Sequence, residues 1–399
     1  MRRGLTTVSA LAFTLGAVCV ASVLRWFDRP VATVASAVSV VEPEPYAWDI
    51  PAPFPRPPVP ADNPMSAAKV DLGAHLFHDA RLSANRRLSC AACHTQSLGF
   101  ADGRGRAIGS LGDVHPRGSM SLANVAYNPA YNWADPNTTS LEAQVLVPLF
   151  GTAPVELGHA PDGAELLARL GADARYRALF ASAFPQDTAA ISVANVARAL
   201  ASFQRTLISV RSPYDRYRYG GDRNAISDAA KRGEVIFFSG QRGGCFQCHG
   251  GWNFSGGIRH ERDTTTQAAF FNTGLYNLTG PSSYPALNTG LHAITKRAED
   301  VGRFRAPTLR NIAMTAPYMH DGSIETLEEV IDHYAAGGRT LTQGPNAGVG
   351  RNNPNKAPSV HGFTLSGTDR QDLVAFLESL TDTTFLTSPA FSSPWRRAR

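Results

Sequence analysis

Cys245-Phe246-Gln247-Cys248-His249 carries the clearest chemistry in the chain. Two thiols at this spacing, with a histidine directly after them, form the attachment signature of a c-type haem. Each sulfur can bond one vinyl group of the porphyrin, and the imidazole is held where a ring nitrogen can ligate the iron. The pattern recurs as Cys90-Ala91-Ala92-Cys93-His94, so the two copies take four of the five cysteines. A zinc site would have to gather its ligands across 155 residues (245 minus 90) and would leave both adjacent histidines unexplained. The sequence therefore predicts two covalently bound haem c groups. The remaining axial position on each iron decides the reaction.

The segments that must position these motifs are duplicated as well. Gly73-Ala74-His75-Leu76-Phe77 precedes the first motif and Gly233-Glu234-Val235-Ile236-Phe237 the second. Both sit on helical patterns, over 67–78 and 229–238. A glycine on a helix allows another backbone to approach closely. Further helices are expected over 192–207, with Val193, Val196, Ala197, Leu200 and Phe203 on one face; over 326–334; and over 364–380. Sustained alternation of apolar and polar residues is scarce. The expected fold is mainly α, with two cytochrome c-like haem domains in tandem over 65–211 and 224–385. Residues 212–223, with Gly220-Gly221, read as a linker, and 386–399 as a carboxy-terminal tail.

Arg2-Arg3 precede an apolar stretch from Leu5 to Leu24, so residues 1–37 read as a signal peptide or an amino-terminal anchor. Membrane contact is expected only if this segment stays uncleaved. Either reading places the rest of the chain in the periplasm, where haem attachment takes place. Residues 38–64 form a proline-rich extended arm, with Tyr46, Trp48 and Phe54 available to pack on the body. Charged residues make up 18% of the chain, below the usual ~25%, and the net charge is +5. The basic residues are scattered, without a run interleaved with aromatics, which argues against nucleic-acid binding.

Several motifs in order resemble the bacterial dihaem cytochrome c peroxidase and MauG superfamily, from about residue 62 to 384. They are Leu72-Gly73 to His94, Leu122-Ala123-Asn124-Val125-Ala126-Tyr127-Asn128, Pro154-Val155-Glu156-Leu157-Gly158, Ala306-Pro307-Thr308-Leu309-Arg310-Asn311-Ile312 and Thr315-Ala316-Pro317-Tyr318-Met319-His320-Asp321-Gly322. Phe271-Asn272-Thr273-Gly274-Leu275-Tyr276-Asn277-Leu278 is most similar to the MbnH-type branch. The resemblance implies an enzyme that uses hydrogen peroxide, through a bis-Fe(IV) state, to oxidise a tryptophan of a partner protein. That partner is expected to be a small, secreted, copper-binding protein.

The resemblance also implies roles for individual residues. His94 ligates the first iron, with Glu156 as the distal acid/base and Gln144 and Pro148 lining the same region. His249 and Tyr334 ligate the second iron; Tyr334 lies 14 residues beyond His320 (334 minus 320), where peroxidases of the family carry a methionine. Met314 and Met319 are the rival ligands, and both lie before the helix. A phenolate stabilises higher oxidation states of iron than a thioether does. Trp133 corresponds to a tryptophan that relays electrons between the haems, and Thr315 and Pro317 to positions around a calcium ion. The calcium-site asparagine is replaced by Gly118, and a surface tryptophan that MauG places before its second motif is replaced by Gly243. Trp252 is a candidate exit point in its stead, or a packed core residue. His115 reads as a surface histidine. The rival functions are a dihaem peroxidase that draws electrons from a small cytochrome, and a non-catalytic electron carrier.

Overall fold

Short polar caps set the helix starts. In the computed structural model, which describes residues 46–279 and 283–396, α1 (Ala67–Phe77) begins after Ser66, whose hydroxyl accepts from Lys69 N–H at 3.2 Å. The first haem motif forms the single turn α2 (Cys90–Cys93). Ser140 caps α3 (Leu141–Phe150), α4 (Ala164–Ala172) runs into α5 (Ala174–Ala183), and Ser192 caps α6 (Val193–Arg205). In the second half come α7 (Pro213–Arg218), α8 (Asp228–Phe237), α9 (His292–Thr295), α10 (Leu327–Ala335), α11 (Gly367–Glu378) and α12 (Thr383–Thr387). Capping boxes open α7, α10 and α11, where Asp215, Glu329 and Asp369 answer Ser212, Thr326 and Ser366.

Extended structure is slight among the described residues. β1 (Phe270–Phe271) pairs antiparallel with β2 (Phe304–Arg305), and β3 (Thr340–Leu341) with β4 (Gly348–Val349). The fold is therefore mostly helical with little sheet, as expected. No helix among the described residues is long and apolar enough to cross a membrane. The expected signal or anchor over 1–37 lies outside the described residues, as does the start of the arm up to residue 45.

Two helix crossings repeat one device. α1 lies against α6 so closely that a Cβ on Gly73 would sit 2.1 Å from the Ala199 carbonyl oxygen and 2.8 Å from Phe203 Cβ. α8 lies against α11 in the same way, with a Cβ on Gly233 falling 2.0 Å from the Asp372 carbonyl and 2.8 Å from Phe376 Cβ. Each crossing anchors a buried apolar cluster. The first gathers Leu72, Leu76, Phe77, Phe180, Leu200 and Phe203; the second gathers Ile236, Phe237, Phe254, Leu373, Phe376 and Leu380. Burying side chains of this size contributes roughly 1.5–3 kcal/mol each, which makes these clusters the main support of both haem motifs.

Two segments carry more structure than the sequence predicted. The supposed linker over 212–223 opens with α7, whose Tyr214 and Asp215 are buried; Asp215 forms a bidentate ion pair with the fully buried Arg310 at 2.7 and 2.9 Å. The supposed tail folds back, so that Phe391 packs on Phe385 and Trp395 Nε1 donates to the His75 carbonyl at 3.1 Å. Phe385 and Leu386 join the first apolar cluster rather than the second. The proline-rich arm is non-helical from residue 46 and packs as expected. Phe54 is buried against Trp252, and the Tyr127 hydroxyl donates to the Pro55 carbonyl at 2.6 Å.

Candidate haem sites

Each motif histidine is fixed by its Nδ1. His94 Nδ1 lies 2.9 Å from the Phe100 carbonyl. His249 Nδ1 lies 3.0 Å from the Pro307 carbonyl and 3.2 Å from that of Phe254. Phe100 and Phe254 both take positive φ, 62° and 49°, which turns their carbonyls back toward the motif. Donation from Nδ1–H sets the tautomer that leaves Nε2 as the free base, the form an iron requires. Burial holds both imidazoles below their usual pKa, and so neutral. The four motif cysteines are free thiols here and stand in for thioether sulfurs. Burial pushes Cys90 and Cys245 up to about 12 and Cys93 up to about 11.

A cavity extends from the second motif. Cys245, Cys248 and His249 line it together with Tyr334, Trp133 and His320. Its walls include Phe237, Leu327, Ile331, Leu373 and Leu377 from α8, α10 and α11. An apolar cavity holding two thiols, a neutral imidazole and a phenol fits a covalently attached porphyrin. Burial holds the Tyr334 hydroxyl well above its ordinary pKa, and the Cys248 and Cys245 thiols push it further. Thioether bonds would remove that second effect, and a cation in the cavity would reverse the shift. Met319 shares the cavity, whereas Met314 packs against the first apolar cluster.

Trp133 is half-buried in the same wall. Its Nε1 donates to the Gly118 carbonyl at 3.0 Å, and its own carbonyl accepts from Arg305 N–H at 2.8 Å. His320 stacks on Phe304 with centroids 3.8 Å apart, while the Arg117 guanidinium lies over Phe304 at 5.5 Å. Burial draws His320 down to about 4. His333, beside Tyr334 with ring centroids 4.9 Å apart, is likewise drawn to about 4 by burial. The sequence used His320 only as the reference point for Tyr334, and His333 did not stand out there because it falls on ordinary helix spacing.

The residues expected on the distal side of the first motif come from α3 and the loop behind it. Pro148 lies inside α3 and donates no backbone hydrogen bond, and the chain leaves the helix at Gly151. The loop then returns along the last turn, with Leu157 N–H bonded to the Pro148 carbonyl at 2.9 Å and His159 N–H to that of Leu149 at 3.1 Å. Glu156 is thereby held close enough for its charge to act on both Cys90 and Cys93. Loss of surrounding water pushes its carboxyl up to about 7. Gln144, one turn before Pro148, has a buried Oε1 without a hydrogen-bond partner. A carboxyl near neutrality and an orphaned amide oxygen beside an attachment motif fit a haem with a reactive open face.

His115 corrects the sequence reading. It is half-buried, not on the surface, and its Nε2 lies 3.7 Å from Glu156 Oε1. Trp252 packs between Phe54 and Tyr127 under the Arg310 guanidinium, with its Nε1 buried and unpartnered. Thr315 and Pro317, the positions expected around a calcium ion, line the same cavity; the Thr315 hydroxyl donates to the Ile312 carbonyl at 3.1 Å, and the Gly118 carbonyl accepts from Trp133 Nε1.

Known proteins resemble this chain over most of its length. The family model for di-haem cytochrome c peroxidases matches residues 67–224. The methylamine utilization protein MauG of Methylorubrum extorquens is 37% identical over 323 residues, covering 81% of each chain. The cytochrome c551 peroxidase of Pseudomonas aeruginosa is 32% identical, over 79% of this chain and 80% of its own. A crystal structure described as a MauG-like protein associated with microbial copper homeostasis superposes with a TM-score of 0.85 at 45% identity, covering 88% of this chain and all of the other. With two haem-attachment motifs and relatives that match across most of its length, the chain belongs to the di-haem cytochrome c peroxidase and MauG family of haem-dependent oxidoreductases.

Proposed function

We propose that this protein is a periplasmic enzyme that uses hydrogen peroxide to oxidise a tryptophan of a partner protein. The observation that carries this reading is Tyr334, which shares the second cavity with Cys245, Cys248 and His249. A phenolate there would favour holding oxidising power over accepting electrons from a donor cytochrome. Two haem c groups, one on each motif of a tandem cytochrome c-like fold, would supply the redox chemistry. The protein's own groups do the rest. The Glu156 carboxylate takes a proton from the inner oxygen of peroxide and returns it to the outer one, which leaves as water. Trp133 offers an indole between the residues of the two halves. The copper association of the 45%-identical relative supports a small, secreted, copper-binding partner.

The test is mass spectrometry of such a partner after incubation with the haem-loaded enzyme and peroxide. Mass gain on one tryptophan is expected, together with spectroscopic change at both irons. The second reading, peroxide reduction with electrons from a small cytochrome, is favoured by Met319 on the same cavity wall and by the Pseudomonas relative. Rapid turnover with reduced cytochrome c and an unmodified partner would decide for it.

A further inference from the structure

We propose that His115 is the proton partner of Glu156, so that the distal site of the first haem is an acid–base pair and not a single carboxyl. This rests on the peroxide chemistry proposed above and deepens it.

The geometry is built for the pair. Residues 108–114 form a tight hairpin, closed by a bridge between Ile108 and Val114 and by the Gly109 N–H bond to the Asp113 carbonyl at 2.8 Å. The hairpin is docked on the loop that carries Glu156. Ser110 N–H donates to the Glu156 carbonyl at 2.7 Å, and Asp113 Oδ2 accepts from Val155 N–H at 2.9 Å. The approach is so close that a Cβ on Gly109 would fall within bonding distance of the Val155 carbonyl. His115 follows the hairpin and is pinned by its own backbone. Its N–H donates to the Ala107 carbonyl, and its carbonyl accepts from Arg106 Nε, both at 2.8 Å. Its Nε2 is buried, has no hydrogen-bond partner, and lies 3.7 Å from Glu156 Oε1. A shift of well under 1 Å brings that separation to hydrogen-bond length.

The charges around the two groups favour sharing one proton. Burial lowers the His115 imidazole, Asp113 and Asp102 act to raise it, and Arg117 acts to lower it. Burial raises Glu156 to about 7, and the neighbours facing it from α2 are the Cys90 and Cys93 sulfurs, uncharged once bonded to porphyrin. Pushing the acid up and the base down brings together two proton affinities that ordinarily lie apart. Such a pair titrates as a unit.

The step balances. Peroxide is the oxidant and its O–O bond breaks. The proton on its inner oxygen passes to the pair and then to the outer oxygen, which leaves as water. The O–O bonding pair leaves with the outer oxygen, and the inner oxygen, left two electrons short, would be reduced by the two electrons that the haem centres supply under the proposed function. His115 takes part by holding the proton while Glu156 turns from one oxygen to the other.

The experiment uses the haem-loaded enzyme, with His115→Gln, His115→Phe and Glu156→Gln. Infrared difference spectra follow the protonated carboxyl band that Glu156→Gln abolishes, and stopped-flow absorbance follows the reaction with peroxide across pH. In His115→Gln the carboxylate has lost its imidazolium alternative, so the band should persist to higher pH by about one unit, the scale expected for a coupled pair. The peroxide rate should fall about tenfold or more and lose one limb of its pH profile. His115→Phe should behave alike, which separates loss of the proton site from loss of a polar contact. An unchanged band and an unchanged profile would overturn the pair. So would a low-spin first haem in the wild type that turns high-spin in His115→Gln, because His115 would then be an iron ligand. Absence of any peroxide reaction in the wild type would sink the proposed function, while the carboxyl titration would still decide the pair.

Discussion

Asn124 and Asn311 meet on Ser209. Asn124 accepts from Ser209 N–H at 2.8 Å and donates to its carbonyl at 3.0 Å, while Asn311 Nδ2 donates to its hydroxyl at 3.0 Å. Both asparagines are fully buried, both take positive φ, and each opens a 3-10 turn, over Val125–Tyr127 and Ile312–Met314. They occupy equivalent places in the two halves. Replacing either by alanine leaves buried backbone groups unpaired and adds strain at positive φ. Asn124→Ala and Asn311→Ala should each cost about 2–4 kcal/mol, read from denaturant midpoints of the haem-loaded protein.

The helix crossings give a second expectation. Gly73→Ala and Gly233→Ala place a methyl group inside the van der Waals radius of a facing carbonyl oxygen. Each crossing must widen, at about 1–3 kcal/mol or more. Thermal unfolding should show a lower midpoint for each variant, and the haem next to the altered crossing should show the larger spectral change. Exposed positions such as Val235, on the other side of α8, should accept alanine with little loss.

Tyr334 separates the two functional readings. Tyr334→Phe should leave both haems attached, change the spectrum of the second only, and abolish oxidation of the partner. Tyr334→Met should raise the potential of that haem, within the ~0.8 V span that axial ligands command. Spectroelectrochemistry measures the shift. A second haem indifferent to both substitutions would exclude the phenolate ligand.

Under the proposed function, Glu156 sets the pH dependence. Its carboxyl is raised to about 7 by burial, so the fraction able to accept a proton grows as pH rises through that value. The rate of reaction with peroxide should therefore climb between about pH 6 and 8. Glu156→Gln should lower it by about 10²–10⁴-fold and flatten the climb. The same shift acts on stability with the opposite sense. The folded state holds a proton that the unfolded chain has already released, so this group's contribution to stability falls as pH rises from about 4.5 to 7.

The two attachment motifs and the helices that carry them were legible because they are local. Cys-x-x-Cys-His spans five residues, and Gly73 and Gly233 sit on helices whose apolar spacing is plain in the sequence. Tyr334 was legible only through its register from His320. His115 was not, because its position depends on the 108–114 hairpin folding back onto residues more than forty positions later. A Gly109-Ser110-Leu111-Gly112 turn between Ile108 and Val114 was the available signal. The segment over 212–223 misled because Ser212 and Asp215 at its start are buried: Asp215 looks solvated until Arg310, 95 residues away, is placed beside it.

The carboxy-terminal segment closes over the first haem motif. Gln96 Nε2 donates to the Phe385 and Ser388 carbonyls, Ser392 donates to Gln96, and Trp395 reaches His75 across 320 positions of sequence. Ala91 and Ala92, between the paired cysteines, line a surface pocket with Ser392 and Trp395. Chain order and completion order are thus inverted. The seat that is translated first waits for contacts from residues 385–395 to seal it, while α8 and α11 bracket the second seat within one contiguous stretch. In folding, the second seat can therefore close while the first still lies open beside Ala91 and Ala92.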